Sequence, residues 1–225
     1  MESDIIPVIT IDGPSASGKG TVAQMVAQKL AYHYLDSGAL YRLVALVAIR
    51  SNTDCASESA IADIASHLDA TFDGSSILLN GEDVSDAIRS EQCSKLASII
   101  AGQPAVRAAL LQRQCAFRQS PGLVTDGRDM GSAVFPDASL KIFLTASAEE
   151  RARRRYKQLI EKGINANMQS ILQDIYERDA RDSNRDISPL KQQVDAKLLD
   201  TTFLSIEEAV NEVLRLHNAA CKNYI

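Results

Sequence analysis

The chain has 225 residues, a formal net charge of −5 and four cysteines, none of them in a Cys-x-x-Cys pair. This length is typical of one α/β domain with an insertion, and 45% hydrophobic residues are enough for a packed core. The acidic balance argues against nucleic acid or an anionic membrane as the main partner. We find no signal peptide and no membrane-spanning apolar run, so we expect a reduced, cytoplasmic protein.

Five short apolar runs predict buried parallel strands. They cover residues 8–12, 34–36, 123–126, 140–145 and 197–200. Stretches with helical periodicity lie between the runs, which predicts a doubly wound parallel sheet. Ligands bind outside the carboxyl ends of the strands in such sheets, so the polar residues that end these runs are expected at the binding edge.

A glycine-rich segment follows the first run. It reads Gly13-x-x-x-x-Gly18-Lys19 and leads into a predicted helix. Glycines let backbone N–H groups turn towards phosphates, the lysine adds a positive charge, and the helix N-terminus faces the same anion. A plain strand-to-helix turn is the alternative, but the Gly-Lys spacing favours an ATP or GTP site. Gly20 stands where a hydroxyl usually holds magnesium, and Thr21 comes one residue later.

The strand and helix alternation breaks between Cys55 and Gln103, which predicts an inserted subdomain. The inserted segment carries a helix, two strands and two turn signals: residues 58–67, 69–72 and 76–79, Asp73-Gly74 and Asn80-Gly81. A helix around residues 95–100 closes the insert. Pro104 then begins a helix that is predicted to reach Phe117.

Arginine is concentrated late in this acidic chain. Arg178, Arg181 and Arg185 lie at i, i+3 and i+7, so a helix places them on one face with Asp182 beside them. Planar guanidinium groups suit phosphate oxygens. The alternative is a solvated helix with an Arg178/Asp182 ion pair worth only ~0.2–0.5 kcal/mol. In a chain that also has a phosphate loop, we favour anion binding.

Two further segments place charged side chains at strand ends. Asp36-Ser37-Gly38-Ala39-Leu40-Tyr41-Arg42 follows the second run, and Asp126-Gly127-Arg128-Asp129-Met130-Gly131 follows the third. Helix capping and turn formation explain Ser37 in part. They do not explain why Arg42, Arg128 and Asp129 all lie at the ligand edge.

Together these segments resemble the bacterial cytidylate kinases. The resemblance rests on GPSASGKGT, DSGALYR, DGRDMG and ERDARDSNRDISPL, in that order, and extends over essentially the whole chain. It implies an α/β fold, a three-layer P-loop NTPase core with a five-stranded parallel sheet, as a single domain over residues 1–225. A small inserted α+β subdomain at about residues 60–103 binds CMP, and a short lid covers about residues 151–165. The implied reaction is phosphorylation of CMP and dCMP by ATP with Mg²⁺, in a monomer.

The resemblance also implies which residues bind each substrate. The ATP phosphates contact the loop and the lid: Gly13, Pro14, Ser15, Ala16, Ser17, Gly18, Lys19, Gly20, Thr21, Arg154 and Arg155. Nine residues contact CMP or dCMP: Ser37 at the acceptor edge, Arg42, Arg128 and Arg185 at its phosphate, Ser98, Arg107 and Asp129 at the cytosine, and Arg178 and Asp182 near the ribose. Lys19, Arg128 and Arg185 are the implied catalytic residues. No side chain is assigned to Mg²⁺, which the nucleotide and water hold.

Three other functions are alternatives for a chain with this loop. A GTPase switch needs a guanine-reading Asn-Lys-x-Asp, which the sequence lacks. A nucleic-acid-remodelling ATPase fits poorly with a short, acidic chain. A kinase for UMP, AMP or shikimate is the nearest rival, and the insert together with Ser98, Arg107 and Asp129 argues against it.

Overall fold

The computed structural model describes residues 6–73 and 76–222. The chain divides into two compact units, one of Met1–Leu35 with Phe117–Ile225 and one of Asp36–Ala116. The predicted insert of about residues 60–103 lies inside the second unit. The two units are described separately below.

The described residues form eight strands and eight α-helices. The strands are β1 (Val8–Asp12), β2 (His33–Asp36), β3 (Ala70–Asp73), β4 (Ser76–Leu79), β5 (Glu82–Asp83), β6 (Leu123–Gly127), β7 (Leu140–Thr145) and β8 (Lys197–Asp200). The helices are α1 (Lys19–Leu30), α2 (Ser37–Arg50), α3 (Glu58–Ser66), α4 (Glu91–Ile100), α5 (Pro104–Cys115), α6 (Ala148–Glu161), α7 (Met168–Ser183) and α8 (Ile206–Lys222).

A five-stranded parallel sheet with the order β2-β6-β1-β7-β8 is the framework of the fold. All five predicted strands are present, which confirms the fold class. Both β1 and β6 are buried along their whole length, as continuous apolar runs predict for central parallel strands. Register places Asp12 opposite Gly127 of β6 and Phe143 of β7, so these strands end at one edge.

Helices α1 and α8 pack on the sheet through a common apolar core. Val22 and Val26 of α1 and Val210 and Val213 of α8 are at most 2% exposed there. This helical spacing of apolar residues is what the sequence predicted for both segments. The α1 N-terminus is thereby fixed against the sheet edge where β1 ends.

Helices α6 and α7 pack against each other around Ala152, Ile171 and Ile175. The side chain of Ser147 accepts a hydrogen bond from the Glu150 N–H and so caps α6. The side chain of Asn167 caps α7 in the same way.

The second unit contains the antiparallel sheet β3-β4-β5 and helices α2 to α5. Asn80 and Gly81 have φ values of 49° and 80°, as a tight hairpin requires at both central positions. The prediction had no strand at Glu82–Asp83, because two exposed acidic residues give no β pattern. Helix α5 ends at Cys115, two residues before the predicted end. The predicted turn residue Gly74 lies outside the described residues.

Among residues 6–73 and 76–222, no helix combines the length and apolar character that crossing a membrane requires. Cys93 is buried, Cys55 is partly buried and Cys115 is exposed.

Candidate active site

The phosphate loop connects β1 to α1 at the carboxyl edge of the sheet. A side chain at Gly13 would place its Cβ 2.0 Å from the Leu144 carbonyl oxygen, so only glycine fits against β7. The Gly13 N–H donates to the Gly127 carbonyl at 3.3 Å. Ala16 and Gly18 have φ values of 57° and 90°, and left-handed residues of this kind turn successive N–H groups to one side as an anion-binding concavity.

Two buried hydroxyls lie within the same loop. Ser15 and Ser17 are 9% and 1% exposed. Their hydroxyls make no hydrogen bond to any described protein atom. Buried hydroxyls usually have hydrogen-bond partners, so these two are unsatisfied donors within the loop.

Lys19 begins α1 beside the carboxylate of Asp126, the penultimate residue of β6. Its Nζ lies 3.7 Å from Asp126 Oδ2, and the Tyr34 hydroxyl donates to Asp126 Oδ1 at 2.8 Å. A Cβ at Gly20 would lie 3.7 Å from Asp126 Oδ1, an ordinary van der Waals distance, so Gly20 lies directly beside this carboxylate. Thr21, which was predicted to contact the phosphates, is exposed on α1.

Asp12 ties the phosphate loop to the segment that carries Arg128 and Asp129. Its carboxylate is 8% exposed and accepts the N–H groups of Met130 at 2.9 Å and Gly131 at 2.8 Å. Burial raises the pKa of Asp12 to about 7, although both N–H bonds oppose the rise. We did not single out this role from the sequence, because the two partners lie more than a hundred residues away.

A buried carboxylate joins two of the predicted phosphate-binding arginines. Asp182 is 1% exposed and accepts from Arg128 Nε at 2.8 Å and from Arg185 Nη2 at 2.5 Å. Burial acts to raise the pKa of Asp182, but the positive charges of Arg128, Arg185 and Arg178 lower it below its usual value. The structure therefore brings Arg128, Arg178, Asp182 and Arg185 together. Asp129, beside this cluster in sequence, is also buried.

The predicted lid arginines differ in their surroundings. Arg154 donates through Nη1 to the Ser17 carbonyl at 2.8 Å and through Nη2 to the Thr201 carbonyl at 2.6 Å, and its Nε binds Glu150. It is therefore attached to the phosphate loop itself. Arg155 is partly exposed on the same helix.

Four predicted residues lie in the second unit. Ser37 is the first residue of α2 and is 3% exposed, and Arg42 of the same helix pairs with the N-cap Asp36 at 2.5 Å. Ser98 is 4% exposed on α4. Arg107 of α5 donates to the Ala101 carbonyl at 3.2 Å. Ser37 and Ser98 are thus buried, whereas Arg42 and Arg107 are only partly buried.

A parallel sheet whose first strand leads through a glycine-rich loop into a helix that begins at lysine defines the P-loop kinase class. A gluconokinase from Sinorhizobium meliloti 1021 shares this fold with a TM-score of 0.52 and 16% sequence identity, covering 99% of this chain and 97% of the other.

The comparison with protein families is more specific. The family model for cytidylate kinase matches residues 9–219. The cytidylate kinase of Nitrosomonas europaea is 60% identical over 99% of this chain and 100% of the relative. That of Chromobacterium violaceum is 61% identical, over 93% of this chain and 94% of the relative. The chain belongs to the cytidylate kinase family, and it is a kinase.

Proposed function

We propose that the chain transfers the γ-phosphoryl group of ATP to the phosphate of CMP or dCMP. The observation that carries this proposal is that the phosphate loop and the segment of Arg128 are hydrogen-bonded to each other within the first unit. The phosphate loop starts at Gly13, which donates to Gly127, and the preceding Asp12 holds the segment behind Arg128. Family membership supports cytidine nucleotides as the acceptors.

The donor side consists of the loop and Lys19. Inward N–H groups, the hydroxyls of Ser15 and Ser17 and the Lys19 ammonium group are donors for the β- and γ-phosphates of ATP. Mg²⁺ enters as a part of the MgATP substrate and neutralises charge on the phosphates. Asp126 fits a role beside it, because carboxylate oxygens suit this hard cation. Lys19 then stabilises the charge that develops on the transferred group.

On the acceptor side, this proposal assigns binding of the CMP phosphate to Arg128 and Arg185, which share the Asp182 carboxylate. A phosphate oxygen of CMP forms a bond to the γ-phosphorus as the bond to the β–γ bridging oxygen breaks and ADP leaves. The second pKa of such a phosphate is ~6, so the acceptor is already ionised and needs no strong general base. The protein supplies alignment and neutralisation of charge.

Base recognition falls to Ser98, Arg107 and Asp129 in this proposal, with Arg178 and Asp182 near the ribose. Cytosine presents a donor at its C4 amine and acceptors at N3 and O2, which a carboxylate and a guanidinium group match. The segment of about residues 60–103 binds CMP, and residues 151–165 with Arg154 and Arg155 close over ATP and exclude water. We also propose that the chain is a monomer, which gel filtration of the purified chain tests. We propose a cytoplasmic location, which cell fractionation tests.

The deciding experiment is an ADP-release assay with CMP, dCMP, UMP, AMP and GMP as acceptors. We expect turnover with CMP and dCMP and much less with the other three. Arg215→Met removes an exposed α8 guanidinium group whose hydrogen bonds, within the described part of the chain, go to Glu212 alone. This variant should keep the wild-type profile. A preference for UMP or AMP would overturn the proposal, since the nearest rival is a kinase for another small acceptor.

A further inference from the structure

Arg151 is the most buried arginine of α6. Its side chain is 6% exposed, and its guanidinium group donates to three different acceptors. Nε donates to the Ala146 carbonyl at 3.0 Å, Nη1 to the Ser15 carbonyl at 3.2 Å, and Nη2 to Asp179 Oδ2 at 2.6 Å. A planar fork is required for this arrangement, because the donors must diverge in one plane.

The contact with Ser15 fixes a peptide group of the phosphate loop. The Ser15 carbonyl and the Ala16 N–H belong to the same planar trans peptide, so they point in opposite directions. An arginine that holds the carbonyl on one side turns the N–H to the other side. Ala16 is left-handed, with a φ of 57°, which an L-residue rarely adopts without support from its surroundings.

Arg151 also connects this loop to α7. Its partner Asp179 lies one helical turn before Asp182, the carboxylate that binds Arg128 and Arg185. One buried cation thus touches the donor loop and the helix that carries part of the acceptor site.

We propose that Arg151 is a positioning residue that holds the Ser15–Ala16 peptide in its phosphate-binding orientation and links it to α7 through Asp179. The inference rests on the proposed role of the loop in binding ATP. It does not depend on which nucleotide accepts the phosphoryl group. Arg151 itself touches no substrate in this proposal.

The test measures ADP and CMP dissociation constants by calorimetry, at a temperature where circular dichroism shows every variant to be folded. Arg151→Met keeps the length of the side chain and removes its charge, and we expect ADP affinity to fall about tenfold to a hundredfold. CMP affinity should change by less than about threefold, since the residue lies on the donor side. Arg151→Lys should give an intermediate loss, because it keeps the charge without the fork.

Two further variants keep the proposal falsifiable. Asp179→Asn should weaken ADP binding in the same direction as Arg151→Lys, and Arg215→Met should leave it unchanged. Equal ADP affinity in wild type, Arg151→Met and Asp179→Asn would overturn the proposal, even if the melting temperature falls. If the Arg151 variants do not fold, an unchanged ADP affinity in Asp179→Asn overturns it alone. Normal ADP binding by wild type with failure to use CMP would contradict the proposed function instead.

Discussion

Replacing Asp12 with asparagine is expected to flatten the pH dependence of stability. In the folded protein, burial raises the pKa of Asp12 from 3.8 to about 7. Between these two values the folded chain keeps a proton that the unfolded chain has released, so the free energy of unfolding falls as pH rises. One pKa unit corresponds to about 1.4 kcal/mol, and the whole difference is about 4 kcal/mol. About 2–3 kcal/mol of it falls between about pH 5 and about pH 8.

The assay is urea unfolding of wild type and Asp12→Asn at several pH values between about pH 5 and about pH 8, with circular dichroism as the probe. Asparagine has the shape of a protonated Asp12 and cannot ionise. The free energy of unfolding of the variant should therefore fall less steeply with pH than that of wild type. Asp195→Asn is the matched control. A hydrogen bond from Lys141 lowers the pKa of that exposed carboxylate, so it titrates below the pH range of the assay. Parallel stability curves for wild type and Asp12→Asn would refute the reasoning.

Three other outcomes follow from the site. Lys19→Ala should lower turnover by a factor of about a hundred or more with an unchanged circular dichroism spectrum, because its charge acts on the transition state; near-normal turnover would contradict this. Asp129→Asn should lower the ratio of kcat/KM for CMP to that for UMP, with most of the loss on CMP, whereas equal losses would indicate that Asp129 only orients the neighbouring arginine. Asp182→Asn should reduce the free energy of unfolding by about 3–5 kcal/mol, because two largely buried guanidinium groups, with side chains 15% and 8% exposed, lose their carboxylate. A change as small as that of the exposed Asp195→Asn would argue against this.

The strands were predictable because the physics that forms them is local. A run such as Val8–Asp12 is mostly apolar, and only a strand covered on both faces buries all five of its residues. The hairpin at Asn80-Gly81 is likewise local, since two consecutive positive φ angles select these residue types. The strand Glu82–Asp83 gave no signal, because it is set by pairing with β4 and not by its own side chains.

The contacts within the site were less predictable, since they depend on residues far apart in the chain. Sequence spacing placed Asp182 beside Arg178 and Arg185 on one helix, but it gave no indication that Arg128 binds the same carboxylate. Arg151 and Arg154 look alike in sequence, yet one is buried and the other is partly exposed. Both donate to a carbonyl of the phosphate loop, and only the folded chain shows that Arg151 also binds Asp179 of α7.

The hydrogen bond from Tyr34 to Asp126 gives the chain an intrinsic optical reporter. The sequence has six tyrosines and no tryptophan, so tyrosine emission is not quenched by energy transfer to an indole. The Tyr34 phenol and the Lys19 ammonium group both contact the Asp126 carboxylate. When a nucleotide draws that ammonium group towards its phosphates, the carboxylate becomes a stronger acceptor and the phenol emission changes. The difference between wild type and Tyr34→Phe isolates this signal, and stopped-flow fluorescence then follows occupation of the loop without a labelled nucleotide.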